Sequence, residues 1–456
     1  MENSDIYSEI DHLDHRIDDY LNDSELARTL LKGTPGMQAA GPKYLPVGSE
    51  EDSADYSARL KRSVLKNVYR KTCSFLTGQV FQKSIVWDPD LDPRITSIFS
   101  DIDGLGNSDS TFFSRIFFDA ISSGSSSVLV DSPARSHRPR GEHPSDSPYL
   151  NHVKTEQIRG FRSSESRRLL TQLRIAGTIS RPVGDFGHAD IPTVLLYESD
   201  FWRVFWKTNG EYYPAVLDGE VLEGENELGY IPLSTFIPGD QTSFVTGIPP
   251  MDDLSYLQLQ HWQSNSDQTH ILHIARVPIL FGRYIKQTDV NVDVSTIVNT
   301  DEEGSVLKWV EVNGGSIPHG RDAIKDIEAS MGLYGLQLLI PRQGNMTATE
   351  KRLSSSESNS TLGSWVVSFE NFLQSVVEDI GAFLGIPVPD RCASVNKEFD
   401  YRVTDSQHLL ALLTAVSRNV LSPQSCLREF IRLGAVSEKE TVENIQSEIE
   451  ENAAVS

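Results

Sequence analysis

The segment that decides the fold spans residues 341–385 and reads PRQGNMTATEKRLSSSESNSTLGSWVVSFENFLQSVVEDIGAFLG. Its second half carries apolar residues at helical spacing over several turns, at Leu362, Trp365, Val366, Phe369, Phe372, Leu373, Val376, Val377, Ile380, Phe383 and Leu384. This period of 3.6 residues predicts an amphipathic helix. Gly385, followed by Pro387 and Pro389, predicts where that helix ends.

The two halves of this long helix differ in composition. Its buried stripe is predicted to consist of Trp365, Phe369, Phe372, Leu373, Val376 and Val377. Residues 349–360 have almost no apolar side chains and are rich in Ser, Glu and Lys. A helix of that composition cannot bury its first turns in its own core. We therefore expect this half to protrude, to face a neighbouring chain, or to line a solvent-filled space.

The length and charge of the chain limit the classes of protein to which it can belong. A chain of 456 residues with 38% hydrophobic and 9% aromatic residues predicts about two to four packed regions. The net charge is −23, and residues 1–25 and 437–456 together supply −13 of it. We expect these ends to be solvated, mobile tails. The total charge argues against sequence-independent nucleic-acid binding through the whole surface.

Motifs for catalysis or ligand binding are missing from the sequence. The three cysteines are too few and scattered for a disulfide framework or a zinc site, and no apolar run reaches the roughly 20 residues of a membrane helix. No P-loop, GxSxG or HExxH motif is present. His270 and His273 lie three residues apart without a suitably placed third ligand, so we expect a structural role for both. We expect a protein of a reducing compartment that has no membrane span, catalysis, cofactor or metal.

Periodicity and turn residues predict the remaining elements. Helices are predicted at residues 53–80, 110–122, 251–276, 321–340, 405–434 and 437–451, and a Gly/Pro loop at 33–49. Strands are predicted at residues 127–131, in antiparallel runs across 169–237, and in shorter runs across 277–317. Asn209-Gly210 and Asp218-Gly219 have the composition of hairpin turns.

Five blocks of sequence, in order, carry a resemblance to a known family. They are YSARLKRS with LTGQVFQK (56–63 and 76–83), GSSSVLVDSP with SPYLNHVKTEQIRGFR (124–133 and 147–162), PPMDDLSYLQLQHWQSNSDQTHILHIARVPILF (249–281), LKWVEVNGGSI with GLQLL (307–317 and 335–339), and TATEKRLSSSESNSTLGSW (347–365). From about residue 53 to about residue 385 the chain resembles tailed-bacteriophage portal proteins, in the portal-like family of phages and prophages. Residues 1–50 and 390–456 match nothing in that pattern.

The resemblance implies an α+β portal fold with a mixed α/β wing, a two-helix stem, a small β-containing clip, a long tunnel helix and a small helical crown. The implied boundaries are 1–250 for the N-terminal region and wing, 251–276 for the first stem helix, 277–320 for the clip, 321–340 for the second stem helix, 341–348 for the tunnel loop, 349–400 for the long helix and wing return, and 401–456 for the crown and acidic tail.

The resemblance also implies a function and partners. Portal proteins form a ring, usually a homododecamer of about twelve subunits, at one capsid vertex of the virion, after assembly in the host cytoplasm. Double-stranded DNA passes through the channel during genome packaging and ejection. The implied partners are the terminase, the head-tail adaptor, and the major capsid protein or scaffold. By the same resemblance, Arg342, Gln343, Gly344 and Asn345 form the DNA-channel tunnel loop.

The residues themselves leave alternatives open. The polar helix at 251–276 suits a ring whose neighbours cover sparse apolar faces and whose bore lets DNA slide. The chain could instead be a phage or prophage scaffold or connector that conducts no DNA. A nuclease is the least favoured class, since Asp301-Glu302-Glu303 lies at a turn without a basic or His partner. The basic segment 135–181 fits a DNA or scaffold contact, or else a solvated face or an intersubunit ion-pair region.

Overall fold

The computed structural model of the chain describes residues 9–131, 148–164, 169–217, 219–276, 279–283, 304, 306–310, 316–336, 348–397, 414–416, 418, 422 and 424–426. The chain divides into two units, Met1–Lys397 and Glu398–Ser456. The second unit, which includes the predicted crown, is described at only a few residues, and both predicted C-terminal helices lie mostly outside them. The elements below all belong to the first unit, whose architecture is mixed α+β.

Ten α-helices are described in the first unit. They are α1 (His15–Asp23), α2 (Glu25–Leu31), α3 (Gly33–Ala40), α4 (Ser53–Arg62), α5 (Val68–Val80), α6 (Pro93–Ile98), α7 (Asp109–Ser123), α8 (Asp252–Ala275), α9 (Ser316–Met331) and α10 (Ala348–Leu384). A wider helical turn, Gly332–Leu336, follows α9. Gly385, at φ +65°, follows the last residue of α10, as the sequence predicted.

The strands form sheets that are antiparallel throughout the described residues. They are β1 (Val86–Trp87), β2 (Ser126–Asp131), β3 (Tyr149–Lys154), β4 (Ile158–Ser163), β5 (Leu170–Val183), β6 (Gly187–Glu198), β7 (Phe201–Thr208), β8 (Glu211–Pro214), β9 (Val216–Leu217), β10 (Glu220–Val221), β11 (Glu223–Glu225), β12 (Leu233–Phe236), β13 (Ile279–Arg283), β14 (Val306–Val310) and β15 (Ala393–Ser394). The largest sheet has the order β11-β7-β6-β5-β4, with β8 paired to β7. A three-stranded sheet has the order β12-β2-β3, and β1–β15, β9–β10 and β13–β14 form two-stranded sheets.

Aromatic rings join α10 to the three-stranded sheet and to α7. Phe369 of α10 is fully buried, with its ring centroid 4.9 Å from that of Phe236 in β12 and 5.2 Å from that of Phe117 in α7. Phe81, just after α5, adds an edge-on contact at 5.8 Å. All six residues of the predicted stripe are buried, including Phe372 at 5% exposure. The periodic half of α10 therefore forms the central wall of this core.

A second core lies between the six-stranded sheet and the N-terminal helix. Ile17 of α1 packs with Phe161 of β4 and Leu173 of β5, and all three are buried. Asp14 caps α1 by accepting from the Arg16 backbone N–H, and the Arg16 guanidinium lies 3.8 Å from the Phe161 ring centre. The acidic N-terminal segment was expected to be a mobile tail. From residue 9 onward that expectation is wrong, because this segment packs on the sheet.

Several predicted elements are confirmed by the structure. These are α7, β2, α8, α10 and the antiparallel strands of 169–237, together with the pairing of β13 and β14. The hairpin turn between β7 and β8 uses Asn209 and Gly210 at φ 51° and 90°, the left-handed pair that a type I′ turn requires. Gly219 is also at positive φ, and Asp218 lies outside the described residues.

Residues 53–80 are two helices, so the prediction of one continuous helix is wrong. Ser63 leaves the helical conformation, and its hydroxyl donates to the Ser266 hydroxyl of α8 at 2.8 Å. Asn67 then caps α5 by accepting from Arg70 N–H. The Gln258 side chain of α8 accepts from the backbone N–H groups of Val68 and Tyr69. These contacts with α8 satisfy the backbone groups that a break leaves without helical partners.

Two boundaries also differ from the sequence-based prediction. The expected loop at 33–49 begins with α3 and a short 3-10 turn, Gly41–Lys43. The Thr34 hydroxyl accepts from Leu65 N–H, which gives this segment a partner in the α4–α5 connection. The second stem helix begins at Ser316 rather than residue 321, because Pro318 in its first turn costs no helical hydrogen bond. The described helical residues after α9 end at Leu336.

A buried carboxylic acid lies beneath the C-terminal half of α10. Asp379 accepts from the Tyr230 hydroxyl at 2.9 Å, and its other oxygen lies 3.1 Å from the Ser234 hydroxyl of β12. Burial raises the pKa of Asp379 to about 6, while the hydrogen bonds from Tyr230 and Ser234 act in the opposite direction. Ser234 Oγ also lies 2.9 Å from Ser375 Oγ. This polar network fixes how α10 lies on β12.

We expect Phe369→Ala to lower the free energy of unfolding by about 3–5 kcal/mol, because the surrounding rings cannot collapse into the space left by the lost side chain. Val367→Ala on the same helix is the matched control, since Val367 is 50% exposed, and should change stability by less than about 0.5 kcal/mol. Chemical denaturation of both variants measures the difference. Equal, small effects would show that the aromatic cluster does not stabilise the unit.

Asp379 should make stability depend on pH. Its folded pKa of about 6 lies above the ordinary value of 3.8, so between these values the folded state holds a proton that the unfolded state has lost. Stability therefore falls as pH rises through this window, by on the order of 3 kcal/mol. Asp379→Asn should remove that part of the slope, and Asp240→Asn, at an exposed loop position, should not. Denaturant midpoints at about pH 4 and about pH 7 test this, and identical slopes in wild type and Asp379→Asn would contradict it.

Candidate subunit-contact surface

Helices α8 and α9 form an antiparallel pair that brackets the β13–β14 hairpin. The Gln268 side-chain amide of α8 donates to the Ile317 carbonyl at the start of α9, at 3.0 Å. Seven residues earlier in α8, His261 Nε2 lies 3.2 Å from Glu328 Oε1, late in α9. Gly320 permits this approach, since a Cβ there would lie 2.2 Å from Gln268 Oε1. The pair has the connectivity predicted for the two stem helices.

The inner side of α8 is largely polar. Ser255, Gln258, His261, Ser266 and Gln268 are all buried, together with the apolar Leu254 and Trp262. Most of these polar groups bond to other elements, as Ser266 does to Ser63 and Gln268 to Ile317. Hydrogen bonds therefore carry much of the attachment of α8 to the unit, because few apolar side chains face inward.

Some buried polar atoms on α8 have no hydrogen-bond partner among the described residues. They are Gln258 Nε2, His261 Nδ1 and Trp262 Nε1. Arg62 Nε, at the end of α4, is also buried without a partner among the described residues. An unpaired buried polar group costs about 1–3 kcal/mol. The inner face of α8 is thus poorly suited to maximising the stability of a single subunit.

Apolar side chains lie on the outer side of the same helix pair. Tyr256, Ile271 and Ile274 of α8 are 59%, 38% and 45% exposed, and Leu333 and Tyr334 after α9 are more than half exposed. Soluble chains normally place such residues inward. The polarity of α8 is therefore partly inverted: many hydrogen-bonding groups lie inside, and these apolar side chains share the outside with exposed polar residues such as Asp253 and Asp267. We call Tyr256, Ile271, Ile274, Leu333 and Tyr334 the outer apolar set.

An ion pair anchors α8 to the N-terminal helices. The buried Arg59 of α4 binds both carboxylate oxygens of Glu51, at 2.7 and 2.6 Å. The hydrogen-bonded Arg59 guanidinium lowers the pKa of Glu51 to about 2. Arg59 also lies 3.5 Å from Asp267 of α8. The planar guanidinium group of Arg59 thus connects the loop before α4 to the first stem helix, α8.

The predicted site residues are only partly visible. Arg342, Gln343, Gly344 and Asn345 of the tunnel loop lie outside the described residues. The N-terminal half of α10 is described as helix, without its side chains up to residue 360. Of the predicted clip, the structure describes chiefly β13 and β14, which pair from Ile279↔Val310 to Arg283↔Val306. The roles of these segments stay predictions.

The basic segment 135–181 is divided by the structure. Residues 135–147 and 165–168 lie outside the described part. Within it, Arg159 pairs with Asp11 at 3.0 Å, and the Arg174 guanidinium donates to the Ile10 carbonyl. These arginines hold the N-terminal segment against the sheet. At these positions the arginines therefore pair within the chain, and an ion-pair region between subunits stays a prediction.

Within the ranges that the structure describes, no group of three or more His, Cys, Asp and Glu residues is placed to hold a metal ion. His270 Nδ1 lies 3.4 Å from the Arg62 guanidinium. Across the described helices, no stretch combines the length and apolar character that crossing a bilayer requires.

The signal that sequence reasoning missed was the distribution of the apolar residues of α8. The sequence shows only that apolar residues are few in α8. The structure shows that several of these apolar residues face outward, while Gln and Ser residues face inward. No local period distinguishes these two cases, because the inward face is set by partners such as Ser63 and Ile317 that are distant in sequence. Only the burial of a residue such as Gln258 reveals the inversion.

One part of the chain is similar to a described domain family. Residues 250–384, which contain α8, β13, β14, α9 and all of α10, match a domain of unknown function, DUF4055. No curated protein matches the chain. The match locates the helix pair and the long helix within one domain model, without giving their function.

Similar solved structures come from GTA particles. A chain from the neck of an empty GTA particle, computed with C6 symmetry, is 10% identical, with a TM-score of 0.43 over 89% of this chain and 99% of that chain. A chain from the virion of a native gene transfer agent particle is 10% identical, with a TM-score of 0.41 over 80% and 88%. A chain from the neck of the native particle, computed with C12 symmetry, is 10% identical, with a TM-score of 0.42 over 89% of this chain and 99% of that chain. Likeness at this level is too low to transfer a function.

Proposed function

We propose that this chain is the subunit of a portal-type ring through which double-stranded DNA passes during genome packaging and ejection. The observation that carries the proposal is the inverted polarity of α8, with polar residues such as Gln258 inside and the outer apolar set exposed. In a ring, neighbouring copies cover such a face, and the cost of exposing it in the monomer becomes a driving force for assembly. The five sequence blocks that resemble portal proteins support the same reading.

The architecture around α8 fits a conduit. Two antiparallel helices bracket a two-stranded hairpin, and the core around Phe369 holds the long helix that follows. The hairpin is too small to stabilise itself alone. It therefore suits a docking platform for the terminase and the head-tail adaptor. The function we propose is structural, with no catalytic step, and its place is the portal vertex of a virion.

The tunnel loop supplies the DNA contact in this proposal. One Arg342 per subunit would give a ring of separate phosphate contacts, each modest and salt-sensitive. Such a distributed contact can retain DNA and still let it slide. A connector that conducts no DNA is the alternative function, and it would assemble equally well without needing Arg342.

The outer apolar set is tested by the double variant Ile271→Asp/Ile274→Asp. We expect it to abolish ring assembly, because a charge at a subunit contact is costly to bury. The free energy of unfolding of the monomer should fall by only about 1–2 kcal/mol, because both side chains already lie partly in water and the remaining cost comes from Asp in the last turns of a helix. Mass photometry measures assembly.

Leu105→Asp is the control for that variant, since Leu105 is 82% exposed in a loop and its charge should leave assembly unchanged. If rings of Ile271→Asp/Ile274→Asp form with wild-type yield, the outer apolar set is not a subunit contact.

The tunnel loop is tested by Arg342→Ala in assembled particles. We expect intact rings and reduced retention of packaged DNA, with the difference from wild type shrinking as salt is raised, because salt weakens the Arg342 phosphate contact that the variant lacks. Packaged genome length and DNA leakage are the measurements. Arg94→Ala, at an exposed helix position paired with Asp92, is the control. Wild-type retention in Arg342→Ala would favour a different DNA contact or a connector that conducts no DNA.

A further inference from the structure

The β5–β6 hairpin extends beyond the sheet to which it belongs. The two strands pair continuously from Gln172↔Glu198 to Val183↔Gly187. The described pairing of β4 with β5 ends at Ile175, and that of β7 with β6 ends at Thr193. Beyond these points the hairpin continues as a two-stranded ribbon. Residues 182–190 at its end are all exposed, and we call them the arm.

The tip of the arm is apolar. Phe186 is 97% exposed and Val183 is 57% exposed, at opposite sides of the turn that contains Gly184. A two-stranded ribbon without a further layer is marginally stable in water. An aromatic side chain at such a tip gains stability only when another surface covers it. The arm therefore has the form of a docking element.

Charge indicates what the arm can bind. The arm contains Asp185 and Asp190, and no Lys or Arg occurs between residues 182 and 202. Neither aspartate forms an ion pair with a described residue. A matching surface needs exposed positive charge around an accessible apolar side chain.

The α4–α5 connection presents a surface of this kind on the same chain. Lys61 at the end of α4, Lys66 in the connection, and Arg70 and Lys71 in the first turn of α5 are exposed, and Val64 of the connection is 59% exposed; we call these five residues the basic patch. No Asp or Glu occurs between residues 56 and 87. Lys66 lies 3.4 Å from Glu328, whereas Arg70 and Lys71 form no ion pair with any residue that the structure describes. The positive end of the α5 dipole adds to their charge.

We infer that the arm of one copy docks on the basic patch of a second copy, with Phe186 against Val64 and the two aspartates facing Arg70 and Lys71. The inference rests on the proposed ring and names one of its subunit contacts. An arm and a patch on different parts of one chain make a head-to-tail contact, and contacts of this type close into rings. Opposite charges set the register and speed the encounter.

Charge reversal tests the contact in the full-length protein. The arm variant is Asp185→Lys/Asp190→Lys, and the patch variant is Arg70→Glu/Lys71→Glu. In either variant alone, the two arm positions and the two patch positions that face each other carry the same sign, so we expect the assembled fraction to fall at least tenfold. In a mixture of the two variants, these positions again pair with opposite sign, so assembly should return. Mass photometry of each variant and of the mixture gives these fractions.

Two controls separate this contact from other effects. Lys32→Glu/Lys154→Glu changes the net charge by the same amount as the patch variant, at two other exposed lysines, and should assemble like wild type. Phe186→Ala should weaken assembly without altering charge. The patch variant should keep the wild-type thermal midpoint, since acidic residues suit the first turn of α5.

The outcomes distinguish this inference from the proposed function. Assembly of either variant alone at wild-type level, or a mixture that fails to assemble, would overturn the inference. A patch variant that assembles normally but loses affinity for a short DNA duplex would show that the patch faces DNA, which also overturns it. Association restored in the mixture, with only open chains and no closed rings in wild type, would support the arm–patch contact and contradict the proposed ring.

Discussion

The packing of Phe369 against rings from three other segments is the contact on which the first unit depends. Phe81 follows α5, Phe117 lies in α7 and Phe236 lies in β12, so this contact joins parts of the chain that are far apart in sequence. It fixes α10 against the three-stranded sheet, and the Asp379 network secures the same helix one to three turns later. The long helix can extend toward residue 348 because its other half is held in this way.

The stem pair is held by a different kind of interaction. Gln258, Ser266 and Gln268 attach α8 through hydrogen bonds to α5, the α4–α5 connection and α9. Hydrogen bonds specify position well but add little net stability. This leaves apolar side chains such as Ile274 free to face outward. A helix that is attached through hydrogen bonds on one side and exposes apolar side chains on the other suits a protein that reaches its full stability only in an assembly.

Sequence periodicity predicted the parts of the fold whose partners are local or whose apolar stripe is strong. The stripe from Trp365 to Val377, the turn at Asn209-Gly210 and the extent of α8 are of this kind. The break at Ser63 could not be predicted, because its cause is Ser266, which lies far along the chain. The ordered N-terminal segment depends in the same way on Arg159 and Arg174 of the sheet.

The positions of the functional surfaces along the chain could be predicted from the sequence, but which side chains they expose could not. The sequence predicted that α8 is a helix with few apolar residues. It could not show which side chains of α8 face outward, because both faces mix polar and apolar residues. The resemblance to portal proteins supplied the tunnel loop, including Arg342, and that assignment remains a prediction. The arm at 182–190 had no sequence signal beyond its turn glycines, since a lone Phe such as Phe186 is normally buried.

Electron microscopy of the purified full-length protein tests the central claim most directly. The account predicts class averages of closed rings with an axial opening wide enough for a DNA duplex, in which α8 and α9 lie at the contacts between subunits. Monomers, filaments or closed discs without an axial opening, observed at concentrations where the protein is soluble and folded, would contradict it.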